Sequence, residues 1–213
     1  GVFDLKTFTC NRQSSGGDFV IAADAQLWIG GTNGFPNNYS TVSLASSSTV
    51  KYYGGNQTVR DLDYGHLILT GTSGVVVKTM PSTTLDIFGD FSMEEGTATS
   101  VSATAGNSVN VEQNVNIESN CTFDGASYTH QFNADFDNEG TLTGSTSTIQ
   151  FTGVGALIAG AGAFNFNNIE FTQSGIQGDA GTIFIVSGNS GITYPVAILF
   201  CSNFEPLNFT IDF

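Results

Sequence analysis

Apolar and polar residues alternate in short bursts along almost the whole chain. Val2 to Phe8 alternates in this way, and Val20-Ile21, Leu27-Trp28-Ile29 and Leu67-Ile68-Leu69 are further apolar bursts. More recur near Val50, Val75, Leu85, Val101, Val109, Val115, Phe123, Phe132, Leu142, Ile149, Phe164, Ile169, Ile183, Ile192 and Phe209. Gly, Asn, Asp and Ser separate them, as turns between strands require. No apolar stripe at helical spacing runs for a full helix length. The pattern predicts an all-β chain of many short strands.

Some strands are copied. Ser48-Thr49-Val50-Lys51-Tyr52 is echoed by Ser147-Thr148-Ile149-Gln150-Phe151, and Leu67-Ile68-Leu69 by Ile169-Glu170-Phe171. Thr84-Leu85-Asp86-Ile87 returns as Thr182-Ile183-Phe184-Ile185. A shorter echo links Asp90-Phe91 to Asp135-Phe136, 45 residues on. Half of that, roughly 22 residues, suits one coil of a stacked repeat. The expected fold is a right-handed parallel β-helix, a solenoid of about nine coils, each adding about 4.8 Å. A β-sandwich is the alternative, since strands with regular turns fit both. Residues 1–17 read as an N-terminal extended arm or first strand, 18–190 as the solenoid body and 191–213 as C-terminal strands. Phe88, Phe91, Phe136, Phe151 and Phe171 are expected inside, stacked coil on coil. Asn114, Asn116 and Asn138 are expected at turns, bonding to backbone groups.

Composition agrees. The chain of 213 residues is 40% hydrophobic and 12% aromatic, enough for a core, and 26 glycines supply its turns. Five basic residues face 19 acids, a formal charge of −14. That excludes a phosphate-binding face, so no nucleic acid is expected, and it disfavours anionic membranes. The longest apolar run, Tyr194 to Cys201, is too short for a membrane span. A start at Gly1 fits a secreted chain after signal cleavage, or a trimmed one. Cys10 and Cys201 form a plausible disulfide, within or between subunits, in an oxidising compartment. Cys121 reads as a small buried hydrophobe.

Candidate chemistry is sparse. Arg60, Asp61, Asp63 and His66 make the most enzyme-like cluster, but read first as a charged turn. His130 reads as structural. No Gly-x-Ser-x-Gly motif is present. No catalytic residue and no cofactor is expected. Asp135, Asp137 and Glu139 alternate as one acidic stripe, a calcium candidate without the calcium-loop signature. Asn38, Asn56, Asn120 and Asn208 begin Asn-x-Ser/Thr sequons, so covalent glycans are expected partners if the host can attach them.

Leu27-Trp28-Ile29-Gly30-Gly31, Ser48 to Gly54, Gln57-Thr58-Val59, Leu67 to Gly71, Asn138 to Leu142, Ser147 to Gly153 and Phe166 to Phe171 together resemble repeats of large secreted bacterial surface proteins. The resemblance implies a right-handed parallel β-helix on the cell exterior. In size and style the chain is also similar to subunits of extracellular β-rich microbial fibres. The expected function is therefore a non-enzymatic filament subunit with itself as partner. Assembly would use Val2, Phe3, Leu5 and Phe8 at one end and Ile198, Phe200, Phe209, Ile211 and Phe213 at the other. The alternatives are a glycan-binding adhesin module, or a polysaccharide-degrading enzyme.

Overall fold

The computed structural model describes residues 1–173, 175–179 and 184–186. Over these the chain is all-β, and its parallel strands stack as a solenoid of about 8 turns. The first coils carry β1 (Val2–Asp4), β2 (Asp18–Ile21), β3 (Gln26–Ile29), β4 (Thr41–Leu44), β5 (Thr49–Tyr52) and β6 (Gln57–Thr58). Three strands then recur per coil: β7 (His66–Leu69), β8 (Val75–Thr79) and β9 (Leu85–Ile87), then β10 (Phe91–Met93), β11 (Ser100–Thr104) and β12 (Val109–Val111). The next coils hold β13 (Val115–Ile117), β14 (Cys121–Asp124), β15 (Thr129–Phe132), β16 (Phe136–Asn138), β17 (Thr141–Thr143) and β18 (Thr148–Phe151). The last are β19 (Leu157–Ala159), β20 (Ala163–Phe166), β21 (Asn168–Phe171), β22 (Gln177–Gly178) and β23 (Phe184–Val186).

The strands make three long faces. The first is β1-β3-β5-β7-β10-β13-β16-β19-β22, the second β23-β20-β17-β14-β11-β8-β6 and the third β21-β18-β15-β12-β9. A short sheet, β2-β4, flanks the opening coils. The inward row of the first face runs Phe3, Leu27, Val50, Leu67, Phe91, Val115, Phe136, Ile158, Gly178. The steps are 24, 23, 17, 24, 24, 21, 22 and 20 residues, close to the coil of about 22 that the echo predicts.

The two echoes mean different things. The 45-residue echo is a true coil repeat, because Phe91 and Phe136 lie on one face two coils apart. The longer echo changes face: β5 and β7 lie on the first face, while their copies β18 and β21 lie on the third. Every face asks the same of a strand, apolar in and polar out, so similar sequences suit different faces.

Alternation builds the core. Leu27, Val50, Leu67, Phe91, Val115 and Phe136 are all buried. An aromatic cluster fills the later coils, with ring centroids 5.1 Å apart for Phe132–Phe136, 5.8 Å for Phe136–Phe164 and 5.9 Å for Phe136–Phe151. Phe88 departs from expectation: it directly follows inward Ile87, so parity turns it outward, 47% exposed. Of the three asparagines, Asn114 lies at a corner and bonds to Asp90, whereas Asn116 and Asn138 lie within strands. Buried Asn138 donates from Nδ2 to Ala163 O at 2.9 Å and accepts from Gly140 N–H at 3.1 Å.

The first residues belong to the stack. Val2–Asp4 pairs with Gln26–Trp28, and Arg12 N–H donates to Asn37 O at 3.0 Å. Corners bring backbones very close. A Cβ on Gly54 would sit 1.7 Å from Gly31 O, so only glycine allows these coils to stack there.

Candidate functional site

Two places on the surface stand out. The first is the open end at the first coil. β1 pairs with β3 alone, and β2 with β4 alone, so each keeps one unpaired strand edge among the described residues. Phe3 continues the inward row, has no coil beneath it among the described residues, and is 54% exposed. Val2, Phe8 and Val20 are also exposed, whereas Leu5 is buried in its own coil.

The second is a cleft of about 280 Å³ where the first face turns its corner. Leu27 and Ile29 point inward, so Trp28 between them points out. The same parity places Asp4, Trp28 and Lys51 in one outward row of successive coils. Tyr53 leans against Trp28 with centroids 6.2 Å apart and donates its hydroxyl to Asp4 Oδ1 at 2.7 Å. That bond lowers the Asp4 pKa, and burial together with Asp4 pushes Tyr53 up to about 12. Lys51 Nζ lies 5.6 Å from the Trp28 ring centre and 2.7 Å from Glu94 Oε2. Thr70 lies in the floor, its hydroxyl buried without a hydrogen-bond partner.

The interior holds two further ionisable groups. Lys78 on β8 points inward while Val75 and Val77 point outward. Its Nζ donates to Gln57 Oε1 at 2.6 Å, Gly55 O at 3.0 Å and Gly54 O at 3.2 Å. All three acceptors are neutral, and burial drives its pKa down to about 7. His130 is buried too. Val109 N–H donates to its Nδ1 at 3.1 Å, which leaves Nε2–H to donate to Gly125 O at 2.8 Å. Burial lowers its pKa, so the unfolded chain binds a proton more readily than the fold does. His130 is therefore expected to stay the neutral Nε2–H tautomer at pH values where a free imidazole begins to protonate, read by ¹⁵N chemical shifts of the imidazole. The fold should lose stability as pH falls through the ordinary imidazole range, where the unfolded chain takes up the proton and the folded one does not.

The charged turn does not assemble. Arg60 sends its guanidinium to Pro36 O at 2.7 Å and lies over Phe35, while His66 Nδ1 accepts from Asp90 N–H at 2.9 Å. Asp61 and Asp63 stay exposed. Asp135, Asp137 and Glu139 are exposed at alternate positions, and Asp135 Oδ1 accepts from Leu157 N–H at 2.8 Å. Among the described residues no three His, Cys, Asp or Glu side chains gather to hold a metal ion. Asn38, Asn56 and Asn120 are exposed. Asn38 Nδ2 donates to Arg12 O, and Asn56 Oδ1 accepts from Val77 N–H. Cys10 is a thiol 3.4 Å from the Tyr39 hydroxyl, and Cys121 is buried. Ile198, Phe200, Cys201, Asn208, Phe209, Ile211 and Phe213 lie outside the described residues. Among the described residues no helix is long and apolar enough to cross a membrane.

No family model matches the chain, and neither a curated protein nor a solved structure matches it.

Sequence reasoning missed the cleft and the inward lysine. The outward parity of Trp28 was readable from its neighbours. The meeting of residues 4, 28, 51, 53 and 94 was not, because it depends on how many residues each coil uses.

Proposed function

We propose that the chain is a non-enzymatic structural subunit of an extracellular filament that grows head to tail by strand pairing. The open first coil carries this reading. Phe3 occupies an interior position yet lies 54% exposed, and among the described residues β1 has a free edge beside it. Natural sheets normally block such edges with charge, proline or a covering element. Here one charged residue stands on each strand, Asp4 on β1 and Asp18 on β2, beside the exposed apolar Val2, Phe3 and Val20. A coil from a neighbouring copy would continue the inward row and satisfy the edge N–H and C=O groups. A head-to-tail contact of this kind does not close on itself, so it propagates. The reading places the chain outside the cell, with Asn38, Asn56 and Asn120 as the exposed positions for glycans.

Negative-stain electron microscopy and sedimentation at rising concentration test it. Uniform filaments are expected for the wild type. Phe3→Lys and Val20→Lys, each putting a charge on the open end, should give compact single particles with an unchanged β circular-dichroism spectrum. Monodisperse wild-type rods at every concentration would overturn the reading. Filaments of both lysine variants indistinguishable from wild type would exclude this end as the contact.

A further inference from the structure

We propose that the cleft beside Trp28 binds a neutral hexopyranose chain. This site needs no neighbouring copy, and of its lining residues only Asp4 lies on β1, the strand at the proposed filament contact. Its wall is aromatic: the Trp28 indole with Tyr53 edge-on, 6.2 Å between centroids. The indole N–H is already engaged by Gln26 Oε1 at 2.9 Å, so Trp28 offers apolar surface rather than a donor. The C–H face of a sugar ring matches such a surface. Around it stand groups of both hydrogen-bonding senses. Asp4 and Glu94 carboxylates accept, and the Lys51 ammonium donates. Lys51 and Glu94 are held against each other at 2.7 Å, so they are positioned before any ligand arrives. A ring of hydroxyls, each both donor and acceptor, fits this mixture better than a purely apolar ligand does.

The floor adds a second, separate observation. Thr70 is 3% exposed, and its Oγ1 has no hydrogen-bond partner. Its oxygen has almost no accessible surface, so the residue shapes the floor and does not bond a ligand. Gly96 lies directly against it: a Cβ there would be 2.5 Å from Thr70 Oγ1. The missing side chain keeps the floor low.

Charge selects the class of glycan. The lining holds two carboxylates against one ammonium, on a chain with a formal charge of −14. Uronate or sulfated chains would be repelled, and neutral ones would not. The cleft of about 280 Å³ has room for one or two sugar rings rather than a long buried segment.

The chain contains one tryptophan, so intrinsic indole fluorescence reports on this cleft alone. The test titrates the protein, at concentrations where it remains monomeric, with cellopentaose, chitopentaose and polygalacturonate. A saturable change in Trp28 emission with either neutral oligosaccharide, and none with polygalacturonate, is the expected result. Tyr53→Ala should weaken that binding about tenfold. Asp4→Asn, on the exposed rim, should weaken it severalfold without changing the circular-dichroism spectrum. No saturable response to either neutral oligosaccharide would overturn the proposal. So would a response to polygalacturonate at lower concentration, or wild-type affinity in both variants.

Discussion

Between pH 7 and 9 the unfolding free energy of the wild type is expected to rise by about 2–3 kcal/mol, and Lys78→Met should abolish that rise. Lys78 is fully buried, with three neutral oxygens around its ammonium, and its pKa falls from 10.5 to about 7. Between those values the unfolded chain holds the proton and the folded chain does not. Protonation therefore favours unfolding. The penalty is fully present below pH 7 and disappears towards pH 10.5. Above about pH 9 other groups oppose the gain. Cys121 moves from 9.0 to about 12 and Tyr52 from 10.0 to about 12, each raised chiefly by burial. Those groups lose protons more easily in the unfolded chain, so they destabilise the fold as pH rises. The wild-type profile should thus climb and then turn over, whereas Lys78→Met should show only the fall. Urea unfolding followed by circular dichroism across this range checks it. An identical slope between pH 7 and 9 in both proteins would show that Lys78 is not the group responsible. The slope is the informative quantity, because the methionine also orphans Gly54 O and Gly55 O and takes one of the two donors from Gln57 Oε1, which keeps the Gly54 N–H at 2.9 Å.

Phe136→Ala should lose about 3–5 kcal/mol of stability, while Phe88→Ala should change it by less than about 0.5 kcal/mol. Phe136, on the first face, is fully buried and sits between three rings: Phe132 and Phe151 of the third face and Phe164 of the second. Removing it opens a cavity that stacked coils cannot close, because each backbone is held by strands above and below. Phe136→Leu keeps much of the volume and should cost clearly less. Phe88 lies on the outside, 47% exposed, so its truncation removes little packing. Denaturant midpoints of the three variants measure this. Equal losses at positions 88 and 136 would contradict the in-and-out alternation on which the core rests.

The sequence carried the coil well. Asp90-Phe91 and Asp135-Phe136 occupy equivalent places two coils apart, and the step of roughly 22 residues follows from them. The longer echo does not measure the coil. Ser48–Tyr52 and Ser147–Phe151 share a strand pattern but belong to different faces. Alternation distinguishes inside from outside and says nothing of which face a strand joins. The candidate site was less legible. Arg60, Asp61, Asp63 and His66 are close in sequence but bond to different partners, Arg60 to Pro36 O and His66 to the Asp90 N–H. The residues that do meet come from four different coils: Asp4, Trp28, Lys51 with Tyr53, and Glu94.

What the sequence determined by itself is therefore the repeating element: short parallel-compatible strands, apolar at alternate positions, in coils of roughly 22 residues, with an acidic and lysine-poor exterior. The tertiary structure decided which side of each ambiguous strand faces in and which distant residues become neighbours. Val75-Val76-Val77-Lys78-Thr79 shows why. With apolar residues at both parities, periodicity cannot choose a face. Pairing with Gln57–Thr58 on one side and Ser100–Thr104 on the other sets Val76 and Lys78 inward, where Gln57 and two glycine carbonyls receive the ammonium. Likewise, coil lengths of 24, 23, 17 and 24 residues bring Asp4, Trp28, Lys51 and Glu94 to one corner. Local alternation is encoded over two residues, whereas neighbours across coils are set by the summed length of every strand and turn between them.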